Sequence, residues 1–501
     1  MSKIVRIPDQ HLFMKYHLSK HKPYCYKLTD FFFYTDKIRV LLLIGVLSCM
    51  SLASYAQDPT PDTSKMLAPI NDISRNGGEF LTIQQCIDYA LVHQPVLNQT
   101  LLNQSITRET NAIALSSWLP QINATGSGVH YIQQSNYSSA TTAGGTSTGT
   151  NTTGTTTRTS AANSFIPELS VSQAIFSPSL LFAAKSAPLL VTQSKQVTDS
   201  TKIYLVSAVS KSFYNVLLTL EQINVLKEDT ARLGKNLRDA YHQYKGGIVD
   251  ETDYEEAAIS LNNSKASLKQ ANENVVPQYA VLKRLMGYSP EKQFNVNFDT
   301  LQMAQSINMD TTQQLAYEKR IEYQQLRTQK DIQNEQIKYY RTSFLPTVSA
   351  FYNYDLAYEN NRMSDLFSNS YPSQLLGVSI SIPIFTGLSR LHSLRRAKLQ
   401  EEVLNWSEVD LKSQIYSEYT SGLAAYKSNL YNLRLLQQNV NLAKRTYFVV
   451  SLQYKQGIVA YLNVITAESN LISSEISYLN ALFNTLSSKI DLQKAMGNIT
   501  Y

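Results

Sequence analysis

Beyond residue 56 the chain carries four histidines, His93, His130, His242 and His392, and a single cysteine, Cys86. Imidazole and thiol groups are suited to proton transfer, metal ligation and nucleophilic attack, but only where spacing brings partners together. Here they are scattered. No HExxH sets two imidazoles on one helix face, and no CxxC offers a metal or redox pair. No glycine loop with lysine cradles a phosphate, and no GxSxG raises a serine on a strained elbow. The sequence reads as that of a protein that is not an enzyme, with no metal site and no cofactor. Its most ordered polar signal is a heptapeptide. QYKGGIV begins at Gln243 and QYKQGIV at Gln453, identical at six of seven positions and 210 residues apart, and neither copy holds a catalytic side chain. The acids Asp253 and Glu256 follow the first copy at the start of a helical run, where the helix dipole favours negative charge.

The elements that carry these residues belong to an exported chain. Of the formal charge of +6, residues 1–56 supply +5, from eight Lys/Arg against three Asp. With that segment removed about +1 remains, and the case for a nucleic-acid partner goes with it. Lys37 and Arg39 precede the apolar run VLLLIGVLSCMSLA, and small residues follow to Ala56, which is the grammar of a secretory signal. A membrane anchor and a lipid-carrying Cys49 are the alternatives, and Met14 is a second candidate start. An exported chain left with Cys86 alone has no internal disulfide. After Ala56 no run of 18 apolar residues occurs, so an ordinary transmembrane helix is not expected, whereas half-apolar barrel strands are allowed.

The heptapeptides are part of a longer repetition. RLMGY at Arg284 and KAMGN at Lys494 share the offset of 210. Tyr419, Tyr426, Leu433, Val440, Tyr447 and Tyr454 recur every seven residues, and the same offset leads back to Val209, Val216, Ile223, Thr230, Leu237 and Tyr244. Generic helix amphipathicity explains either series but not their shared register. SVSQAIFS at Ser170 pairs with SISIPIFT at Ser379, and WLPQINA at Trp118 with FLPTVSA at Phe344, the latter offset by 226. The extra length falls in a Thr/Gly-rich stretch, 141–160, that cannot bury a core. Each copy then predicts a helix (82–117 and 311–342), two extended segments, a very long helix (178–242 and 387–453), the heptapeptide, and a second long helix (252–287 and 461–496).

The extended segments alternate strictly. Val348, Ala350, Tyr352, Tyr354, Leu356 and Tyr358 share one face, and Leu376, Val378, Ile380, Ile382 and Ile384 share another. About 10 residues of this pattern suit a tilted strand in a bilayer, and a half-buried strand pair of a soluble sandwich is the competing reading. Four strands cannot close a barrel, and an open edge in lipid leaves backbone groups unpaired at several kcal/mol each, so strands in lipid require several chains to share one barrel. The long helices, near 100 Å at ~1.5 Å per residue, must bury their heptad stripes against partner helices, in a tube or in a solid bundle. At the far end of each hairpin Gly246, Gly247 and Gly457 permit positive φ. Ile248, Val249, Ile458 and Val459 are expected to be exposed there, as a contact for another protein or as a staple between the arms.

Taken in order, the duplicated YKxGIV, the downstream DETDYEEAAISL and LNVITAESNL, the PIFTGLSR exit, the two LP entries and the MG endings resemble the TolC-type outer membrane efflux proteins, over nearly all of the chain after residue 80. The resemblance implies a mainly α protein with a β-barrel sector. It implies a homotrimer forming one 12-stranded barrel in outer membrane lipid on an α-helical periplasmic tunnel. It also implies passive export from an inner-membrane transporter through a periplasmic adaptor, which the tips Gly246, Gly247, Ile248, Val249, Gly457, Ile458 and Val459 would receive. It makes Asp253 and Glu256 candidates for a closed gate near the tips, although Asn463 and Thr466 replace them in the second copy and Val459 stands where some relatives carry arginine. The expected boundaries are a removed signal (1–56), a linker (57–80), a first repeat (81–287), a connecting segment (288–310), a second repeat (311–497) and a tail (498–501). A secreted coiled-coil or adhesin protein without channel activity is the alternative function. The cargo is not legible.

Overall fold

The computed structural model describes residues 80–133, 161–296, 307–310 and 313–501. The expected signal, nearly all of the expected linker, and the Thr/Gly-rich stretch 141–160 lie outside these residues. The chain divides into two units, Met1–Gly77 and Gly78–Tyr501, and every described residue belongs to the second. Its elements are β1 (Phe80–Leu81), α1 (Ile83–His93), α2 (Pro95–Ser116), β2 (Gln121–His130), β3 (Asn163–Phe176), α3 (Pro178–Lys245), α4 (Glu251–Met286), β4 (Asn295–Val296), α5 (Ile321–Thr342), β5 (Thr347–Asn360), β6 (Ser370–Ser381), α6 (Ser389–Lys455) and α7 (Tyr461–Ala495).

The helix expected over 82–117 is two helices. Thr82 and Gln85 form a reciprocal capping box that starts α1. Gln94 is extended, as a residue before proline tends to be, and Pro95 opens α2 at its first turn. The helix expected from 311 begins at Ile321, after a short 3-10 turn over Tyr317–Lys319. The strand expected to alternate through Ile384 stops at Ser381, two residues before Pro383, which has no N–H for a ladder.

Strands β2, β3, β5 and β6 form one antiparallel sheet in the order β2-β3-β5-β6, leaving β2 and β6 as its edges. Register lines up one apolar face across all four strands. Ile122 opposes Val171, Val171 opposes Tyr352, and Tyr352 opposes Leu376. On the other face Asn123, Ser170, Asn353 and Leu375 align, as do Thr125, Glu168, Asp355 and Ser373. The apolar face is bare. Ile122, Leu376, Val378 and Ile380 are all exposed.

Helix α3 has 68 residues and α6 has 67, each about 100 Å long. The heptad stripes face inward, with Val209, Val216, Ile223, Tyr426, Leu433, Val440 and Tyr454 all buried. By length and composition α3 also contains a window apolar enough to span a membrane, half of it buried inside the protein. That window escapes a search for unbroken apolar runs. Leu205, Val206, Val209, Phe213, Val216 and Leu217 of α3 pack in one core with Cys86, Ala90, Leu97, Leu282 and Met286. Burial pushes the Cys86 thiol up to about 12, so this cysteine is packing rather than chemistry.

The two MG endings seat alike. Gly287 and Gly497 have φ of +68° and +70°. A Cβ on Gly287 would meet the His93 carbonyl oxygen at 2.5 Å, and one on Gly497 would meet the Lys319 carbonyl oxygen at 2.7 Å. The glycines are 210 residues apart and the carbonyls they touch 226, which are the two offsets read from the sequence. Beside the second seat, Arg320 is 4% exposed and donates to the carbonyls of Lys494 and Ala495 and to the carboxylate of Glu418, capping α7.

Candidate functional site

The heptapeptides end α3 and α6 with the same backbone closure. Ile248 N–H donates to the Gln243 carbonyl at 3.0 Å and Gly247 N–H to that of Tyr244 at 2.9 Å. Ile458 N–H donates to Gln453 and Gly457 N–H to Tyr454, both at 2.9 Å. Within the heptapeptides only Gly247 and Gly457 hold positive φ, at +68° and +70°. Gly246 has φ −80°, a value open to any residue, and Gln456 occupies its place in the second copy. The expectation that Gly246 supplies positive φ is therefore corrected.

The tip side chains divide. Ile248 and Ile458 are 73% and 64% exposed. Val249 and Val459 are half-buried rather than exposed, and Val459 packs against Ala240, Ala257, Tyr454, Tyr461 and Val464. That cluster joins the two hairpins, because Ala240 and Ala257 come from the first and the rest from the second. The Tyr454 hydroxyl crosses the joint and donates to Gln243 Oε1 at 2.6 Å. In the second hairpin the staple and the exposed contact thus coexist, Val459 inward and Ile458 outward.

Asp253 lies in the first turn of α4, half-buried, and burial together with the charge of Asp250 raises its carboxyl above the usual range. Burial first, then Asp253 and Asp239, push the Tyr454 phenol up to about 12. The structure thus brings Asp253 to the joint. Glu256, one turn further, is exposed, as are Asn463 and Thr466 in the second hairpin.

Further from the tips lies a charged cluster that the sequence reading missed. Arg232 on α3 reaches Asp229 on the same helix and Glu468 on α7, at 3.5 and 3.4 Å. Asn236 donates to Glu468 and Ser264 of α4 donates to Asp229. The available signal was a break in the repeat. At an offset of 210, Asp229, Arg232 and Glu468 correspond to Asn439, Leu442 and Ala258.

A four-stranded sheet with a bare apolar face, carried on paired helices of about 100 Å that end in exposed isoleucines, defines a membrane protein with a long helical extension. The chain belongs to the outer membrane efflux protein family, whose profile matches residues 86–288 and 313–498. It is an outer membrane channel component of an efflux system, and the adhesin alternative falls. The probable efflux pump outer membrane protein TtgC of Pseudomonas putida is 24% identical over 426 residues, covering 84% of this chain and 83% of that protein. The outer membrane protein TolC of Vibrio cholerae is 20% identical over 341 residues, covering 66% and 76%. Among solved structures, CusC superposes with a TM-score of 0.67 at 18% identity, covering 85% of this chain and 95% of CusC. The open-state MtrE channel of Neisseria gonorrhoeae superposes with a TM-score of 0.66 at 19% identity, covering 83% and 88%. These likenesses show the shared fold.

Proposed function

We propose that three copies of this chain share one 12-stranded barrel in the outer membrane and one 12-helix tunnel below it, and that solutes pass through passively. The observation that carries this reading is the sheet. Among the described residues, edges β2 and β6 have no partner strand on their outer sides, and unpaired edges are not tolerated in lipid. Pairing β6 of one copy with β2 of the next satisfies both edges at once. The polar face, with Asn123, Thr125, Glu168, Asn353 and Asp355, then lines water, and Ile122, Val171, Leu376 and Ile380 meet acyl chains.

No chemical step is needed, so direction comes from an inner-membrane transporter coupled through a periplasmic adaptor. The adaptor meets the tips, with Ile248 and Ile458 supplying exposed apolar contact and Gly246, Gly247, Val249, Gly457 and Val459 shaping the turns that present them. Asp253 and Tyr454 stand at the joint that must part when the tunnel opens, and Glu256 lines its approach. The two repeats, 81–287 and 311–497, each supply two strands and one hairpin, and 288–310 connects them in sequence. Fractionation of membranes, followed by gel migration of unheated and heated protein, tests the assembly. An outer membrane species that collapses to monomer only on heating is expected. A water-soluble, folded monomer after processing would overturn the reading.

A further inference from the structure

We propose that Asp229, Arg232 and Glu468 form a proton-operated latch that holds α7 against the first helical hairpin and so positions the tips in their closed arrangement, a role that rests on the channel reading above. The cluster ties three elements together. Arg232 Nε lies 3.4 Å from Glu468 Oε1 and its Nη2 lies 3.5 Å from Asp229 Oδ1. Asn236 Nδ2 donates to Glu468 Oε2 at 3.1 Å, and Ser264 Oγ of α4 donates to Asp229 Oδ2 at 2.6 Å. Both carboxylates are 2% exposed. They line a groove of about 550 Å³ among α3, α4 and α7, whose walls include Ser260, Ser264, Ser469 and Ser473.

The charges do not balance. Two buried carboxylates share one guanidinium, and Asp229 Oδ1 and Arg232 Nη2 each lack a hydrogen bond. When both acids are ionised, an uncompensated negative charge sits out of water, which is costly. The groups facing the cluster do not cancel it. On α3, Glu228 is exposed and 3.9 Å from Arg232. On α6, the Tyr447 ring lies 5.9 Å from the guanidinium, and Lys444 is engaged by Glu475 of α7 at 3.1 Å. Tyr461 of α7 adds a phenol that burial and the Glu468 charge raise further. From α4 comes the uncharged Ser264. Burial and then the charge of Asp229 push Glu468 up to about 7, while Arg232 and Asn236 pull it down.

The sign follows from the direction of that shift. An acid raised in the packed arrangement binds its proton more tightly there, so packing is favoured while Glu468 is protonated and weakens as pH rises from the ordinary glutamate range through about 7. The latch holds at mild acidity and releases above neutrality, when Asp229 and Glu468 repel.

The experiment uses the full-length assembled protein at pH values from about 6 to 8. Amide exchange of segments 226–236 and 464–475 is compared between wild type and Glu468→Gln at each pH, alongside conductance in planar bilayers. In the wild type, protection relative to the variant is expected to fall and conductance to rise several-fold with pH. Glu468→Gln should stay at the low-pH level in both. Asp229→Asn, which removes the repelling charge, should move the wild-type transition to lower pH. Equal protection in wild type and Glu468→Gln across the range overturns the latch whatever the conductance. Protection that follows the proton while no protein conducts at any pH overturns the gating role and counts against the channel reading itself.

Discussion

Single residues here divide by whether a neighbour is present. Gly247 and Gly457 hold positive φ in open space, so a Cβ there costs only the left-handed conformation, about 1–2 kcal/mol. Gly287 and Gly497 hold the same φ against a backbone carbonyl. Gly287→Ala and Gly497→Ala therefore add overpacking to strain and should cost about 2–5 kcal/mol, visible as a larger loss of melting temperature than for either tip glycine. Equal losses at all four positions would contradict the seating. Tyr454→Phe deletes one hydrogen bond across the hairpin joint, to Gln243, and is expected to cost about 1 kcal/mol and to raise basal conductance in bilayers.

At the scale of elements, much of the frame was legible. The seven-residue stripe from Tyr419 to Tyr454 placed α6, because only one helix face repeats with that period and only one face is buried. Strict alternation placed β5 and β6 for the same reason, with period two. What depends on tertiary partners was not legible. Val459 reads as an exposed tip residue until Ala240 and Tyr461 are seen beside it. Glu468 drew no expectation from the sequence, because only the packing of α3 places Arg232 over it. Gly246 was expected to permit positive φ at the turn, yet its backbone is ordinary αR. Arg320 was likewise silent in sequence, although it caps α7. Arg320→Ala should leave the carbonyls of Lys494 and Ala495 short of donors and cost about 2–4 kcal/mol, measured by denaturant melting of the detergent-purified protein.

For the whole molecule, the prediction concerns the bare face of the sheet. Leu376→Arg or Ile380→Arg places a charge where lipid is proposed, costing about 2–4 kcal/mol near the bilayer midplane. Either change should reduce the heat-sensitive assembled species on gels. Ser379→Arg, on the opposite face, should leave assembly intact. Indifference of assembly to all three would argue that the sheet does not lie in a membrane.

The seats of Gly287 and Gly497 have a mechanical consequence. Each fixes one arm of a hairpin at its root, and α4 extends 36 residues from that root, about 54 Å, toward the tip. With a lever of that length, a swing of about 5° carries the far end through roughly 5 Å. A wide aperture at the periplasmic mouth therefore demands little deformation at the pivot, where glycine sits close against a backbone carbonyl.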